Sequence, residues 1–168
     1  MQRQLNTSPL VLLLLLAAFV VEMAPTASAE SERLDWSARI AEMDQALGRG
    51  DVPAVRAAWR EAYVAAHVSR DWPAMIAVGD AAMRASGLVG AQVSQAHARR
   101  AYLTALLRAR RQRSLDGVLA AGDAFGRLGD QAVVQQVLSV ATELAERSGD
   151  GTARQRVQTF QTQWAPRT

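Results

Sequence analysis

The chain has 168 residues, 49% hydrophobic but only 5% aromatic, with 19 cations against 16 acids and a net charge of +3. Every cation is arginine, and cysteine is absent. These facts exclude disulfides, thiolate metal sites, cysteine nucleophiles and lysine-dependent chemistry.

In chain order, residues 1–29 read as a secretory signal peptide. A short polar start with Arg3 leads into the apolar run Leu10 to Val21, and Ala27-Ser28-Ala29 supplies a small-x-small cleavage pattern. The run is shorter than the roughly 20 residues of a spanning helix, and no cysteine follows it for a lipid anchor. Residues 30–168 are then expected to form one exported domain, periplasmic or secreted, with no membrane anchor after cleavage. Arginine without lysine, beside abundant alanine, points to a GC-rich genome and a bacterial source.

The rest reads as all-α. Alanine, leucine, arginine and glutamine favour helices, and no alternating strand pattern competes. Seven helices are expected, at roughly 33–48, 53–69, 72–86, 91–112, 115–128, 131–148 and 152–164. Asp51, Asp71, Ser114 and Asp130 are expected N-caps, and Pro53 and Pro73 lie in first turns. Thr152 with Gln155 fits a capping box. Residues 86–90 read as a turn.

The chain repeats itself. At an offset of 36, Asp35-Trp36, Ala38, Ile40, Ala41, Asp44 and Ala46 meet Asp71-Trp72, Ala74, Ile76, Ala77, Asp80 and Ala82. At an offset of 79, Gly50-Asp51, Val55, Ala62, Ala66 and Ser69 meet Gly129-Asp130, Val134, Ala141, Ala145 and Ser148. The middle unit is stretched: Arg60, Ala62, Tyr63 and Ala66 meet Arg99, Ala101, Tyr102 and Ala105 at 39. Such repetition predicts helical hairpins stacked side by side, with small residues allowing close approach and larger ones filling the gaps.

The segments Asp71-Trp72 through Ile76 to Ala82-Met83, and Asp35-Trp36 through Ile40 to Ala46-Leu47, resemble the second helix of a tetratricopeptide repeat. Trp59 falls where that family's first helix carries its tryptophan. Tyr63 and Tyr102 depart from the pattern, standing where the family has a small glycine, and the spacing of 36 and then 43 departs from its near-constant 34. The resemblance implies a short solenoid of hairpins at 53–86, 91–128 and 131–164 after a lone helix at 33–48. The first helix of each hairpin would line a concave face that binds a partner peptide or helix.

On that alignment the groove would be formed by Arg60, Val64, His67, Arg99, Arg100, Leu103 and Leu106, with Glu61 nearby and Glu143 and Glu146 at an acidic end. Arg99 and Arg100 would orient acidic groups of the partner, whereas Arg110, Arg111 and Arg113 are expected to cap their helix. Trp36, Trp59 and Trp72 are expected in packing, Trp164 over the end of the stack, and the repeated Asp44, Asp80 and Asp123 in interhelical hydrogen bonds. No cofactor, metal or nucleic acid is expected. His67 and His97, the only histidines, stand 30 residues apart without a surrounding carboxylate pattern. The expected role is a non-catalytic protein-interaction adaptor. The other readings are a helical-bundle subunit of an envelope complex and an all-α enzyme, for which no convergent catalytic set is apparent.

Overall fold

A computed structural model describes residues 35–165; the signal peptide expected at 1–29 lies outside them. All regular structure among the described residues is helical: α1 (Trp36–Gly48), α2 (Val52–Ser69), α3 (Trp72–Arg84), α4 (Ser86–Val89), α5 (Ala91–Arg111), α6 (Leu115–Arg127), α7 (Gln131–Ser148) and α8 (Gly151–Gln163). The short α4 stands where a plain turn was expected.

Local chemistry sets most boundaries. The Asp35 carboxylate accepts from the Ser37 and Ala38 amides at 2.9 and 3.2 Å. Asp51 accepts from Ala54 at 3.0 Å, and Ser114 from Gly117 at 3.1 Å. Gly50, Gly129 and Gly149 take positive φ where helices turn back. Three caps differ from expectation. Asp150, not Thr152, caps α8, accepting from the Thr152 amide at 2.8 Å, because α8 begins at Gly151. Asp71 and Asp130 occupy N-cap positions without a side-chain cap bond.

Connections of a few residues join consecutive packed helices, so neighbours run antiparallel. The most extensive pairings are α1 with α2, α3 with α5 and α6 with α7. These cross the boundaries of the expected hairpins, and α1 is no lone helix. Helices α1, α3, α6 and α8 also touch in series. A polar ladder ties this row together. Arg84 forks onto Asp44 at 2.9 and 3.1 Å. The Tyr102 hydroxyl donates to Asp80 at 2.7 Å, and Arg127 donates to Asp80 at 3.1 Å and to Asp123. Gln163 donates to Asp123 at 2.8 Å. The repeated aspartates thus make the interhelical contacts their periodicity implied.

The core is built from alanines at helix crossings, among them Ala62, Ala101, Ala105 and Ala141 at 0% exposure, with Met43, Met75, Val78, Tyr102 and Phe125 between them. Glycines receive the largest rings. Gly79 lies under Tyr102, Gly117 under Trp72, Gly122 under Phe160 and Gly126 under Trp164, each too close to admit a Cβ without a shift. The small residue that pairs with Tyr102 therefore sits on the neighbouring helix, compensating for a tyrosine at a position expected to be small. Trp59 is buried and donates its indole N–H to the Val78 carbonyl at 3.1 Å. Trp164, just past the end of α8, packs its ring against Gly126 of α6.

Candidate binding face

Helices α2 and α5 lie side by side in the same direction. Trp59 meets His97 near their starts, and Arg108 reaches the Ala66 and His67 carbonyls near their ends. Along α2, Trp59, Tyr63 and His67 recur every four residues and form a line of rings. Trp59 and Tyr63 centroids stand 5.3 Å apart, and Tyr63 and His67 6.1 Å apart. The His97 ring stacks on the Trp59 indole at 4.2 Å with planes 7° apart.

Two clefts open between these helices. The first, about 680 Å³, is lined by Arg56, Trp59, Arg60, Tyr63 and Val64 of α2, Val89 of α4, and Val93, Ser94, His97 and Arg100 of α5. The second, about 750 Å³, is lined by His67, Val68, Arg70, Thr104, Leu107, Arg108 and Arg111. Together their linings include six arginines and no carboxylate. Burial pulls the His97 imidazole below its ordinary value, and the Arg100 and Arg56 charges add to the effect. A third, smaller cleft of about 470 Å³ runs from Arg99 and Leu103 to Asp130 and Val133 at the start of α7.

The expected groove residues distribute over these clefts. Arg60, Val64 and Arg100 share the first, His67 lies in the second, and Arg99 and Leu103 in the third. Arg99 forks onto Asp130 at 2.7 and 2.9 Å, so its exposed guanidinium already has an acidic partner at the start of α7. Leu106 is only partly exposed and packs against the core. Glu61 lies 3.5 Å from Arg39, and Glu143 pairs with Arg147. Arg108 closes the end of α2, donating to the carbonyls of Ala66, His67 and Asp71 at 2.9, 2.8 and 3.1 Å. Arg110 and Arg111 are exposed in the last turn of α5, and Arg111 faces the second cleft.

Sequence reasoning missed Val68, Leu107 and Ser94. Val68 and Leu107 are 51% and 46% exposed, one helical turn beyond Val64 and Leu103 at 59% and 48%. The i,i+4 spacing was available to find them. Nothing local marks Ser94, which is 1% exposed. It shares the lining of the first cleft with Val89 of α4. Among the described residues, no group of His, Asp and Glu is placed to hold a metal ion, and no helix is long and apolar enough to cross a membrane. Comparisons with protein-family models, curated proteins and solved structures give no match for this chain.

Proposed function

We propose that this chain is an exported, tetratricopeptide-like adaptor that captures an acidic, amphipathic segment of a partner protein on the face formed by α2 and α5. One observation carries the reading. The exposed large aliphatic side chains of the described residues, Val64, Val68, Val93, Leu103 and Leu107, all lie on α2 and α5, and all but Leu103 line the two clefts that carry arginines and no carboxylate. Apolar side chains left in water at one face favour a partner that covers them. Arginine forks favour carboxylates as the polar complement. The periodic aspartate ladder and the row α1, α3, α6, α8 support a repeat scaffold in which this face is the inner one. The role proposed is binding, not catalysis, and the compartment is the periplasm or the exterior, as the signal-like residues 1–29 imply.

A photo-crosslinking residue at Val68 or Leu107 in the native envelope is expected to trap one protein through an acidic segment. The same residue at Gln158 on the outer α8 is expected not to trap it. Arg60→Glu with Arg100→Glu should abolish the crosslink without unfolding the chain. Equal trapping from Gln158, or trapping that survives the charge reversals, rejects the proposal and favours an envelope-complex subunit that uses its outer surface.

A further inference from the structure

We infer that the first cleft is a binding site for a small amphipathic carboxylate, an acid whose single charged group sits on an aliphatic or aromatic body. This goes beyond the adaptor reading and requires no partner protein. The cleft's volume of about 680 Å³ falls in the roughly 300–1,000 Å³ range of small-molecule sites. Its lining has the composition of such a site: an apolar wall of Val55, Val64, Ala82, Ala85, Val89 and Val93, a stacked Trp59–His97 platform, and a few polar groups.

The charged groups of the lining are all cations, and each is exposed. Arg56 and Arg60 approach from α2 and Arg100 from α5, with no acid in the lining. Ser94 lines the same cleft at 1% exposure, and its hydroxyl has no hydrogen-bond partner. A buried hydroxyl left unpaired is costly, and native proteins seldom leave one so. A carboxylate oxygen is an acceptor of the kind it lacks. The cleft also falls where the repeat is irregular. Residues 86–89, which form α4 inside the stretched middle unit, bring Val89 and the preceding Ala85 into the wall. The departure from the repeat therefore coincides with the cavity.

The test is calorimetric titration of the full folded chain with decanoate and with naphthalene-2-carboxylate, using decan-1-ol and inorganic phosphate as controls. Each acid is expected to bind one to one, with the alcohol about tenfold weaker because it cannot engage the arginine forks, and phosphate unable to displace the acids. Arg56→Gln with Arg100→Gln should weaken the acids about tenfold and leave the alcohol unchanged. Val93→Trp should fill the cleft and block both. Ser94→Ala should weaken the acids several-fold while raising the melting temperature of the free protein, a pair of opposite effects that a purely structural serine would not give. With only two histidines in the chain, the ring resonances of His97 should move on binding and those of His67 should not. The inference is overturned by absence of saturable binding of either acid. Unchanged affinity in the arginine variant with native circular dichroism, full displacement by phosphate, or a response at His67 instead would also overturn it. Leu103→Asp with Leu107→Asp should remove the crosslink to a partner while sparing decanoate, so the adaptor reading and this site can fail separately.

Discussion

At the scale of single residues, the sign of a glycine substitution depends on what the missing Cβ would meet. Gly48 ends α1 with nothing within 4 Å of where a methyl group would stand, so Gly48→Ala should stabilise the protein by about 0.5–1 kcal/mol through helix propensity. Gly79 is helical too, but its Cβ would run into the Tyr102 ring. Gly79→Ala should cost about 1–3 kcal/mol as overpacking outweighs propensity. In a Tyr102→Leu background that cost should nearly vanish, the coupling expected of side chains in contact. Urea denaturation of the three single variants, Gly48→Ala, Gly79→Ala and Tyr102→Leu, and of the double variant checks all three statements. The sequence offered Tyr102 as an anomaly at a small position, but not its partner. Gly79 is 23 residues away on another helix, and only the packing of α3 against α5 joins them. By contrast, Asp44, Asp80 and Asp123 were legible, because a polar residue recurring on a helical repeat has to find the same kind of partner in each unit.

At the scale of helices, the contacts between α2 and α5 are few in kind and each is specific. Arg108 makes two charge-assisted bonds to carbonyls at the end of α2, where helical carbonyls lack internal partners, and a third to the Asp71 carbonyl at the start of α3. Arg108→Ala should therefore destabilise the protein by about 1.5–2 kcal/mol, discounted for partial exposure. Amide hydrogen exchange should quicken in residues 64–70 more than in α7. The helices themselves were readable from caps and breaks, with boundaries close to those found. What periodicity could not supply was phase. Every helix in a stack has a neighbour on each side, so the same pattern of small residues fits α2 paired with α3 or with α1. The pattern placed Arg99 on an open face, where it is exposed, but nothing near it in sequence foretold that Asp130, whose side chain makes no cap bond, would accept its guanidinium.

At the scale of the whole molecule, pH should act in two stages. The folded protein holds His97 below the ordinary histidine value through burial and the nearby Arg100 and Arg56. A group whose folded value is lowered contributes stability in full above its unfolded value, and that contribution is lost as pH falls through the folded value. Melting temperature should thus decline on acidification from about pH 7 towards pH 5, and His97→Gln should flatten this part of the profile. A second decline belongs below about pH 4. There the Asp35 and Asp150 carboxylates, held low by hydrogen bonds from the Ser37 and Thr152 hydroxyls and from backbone amides, take up protons and release their helix starts. Scanning calorimetry across both ranges, on the parent and on His97→Gln, separates the stages. No cysteine takes part in either stage, so the whole response is one of packing, hydrogen bonds and charge.

The four tryptophans have a practical consequence. Trp36 packs from α1 onto the core, Trp59 is pinned between α2 and α3, Trp72 covers a glycine of α6, and Trp164 covers another from the end of α8. Each indole thus samples a different junction along the molecule. A set of four proteins, each retaining one tryptophan and replacing the rest with phenylalanine, would carry its own fluorescent gauges of local opening. Comparing their emission during gentle heating would read out the order in which the junctions loosen, with no dye attached.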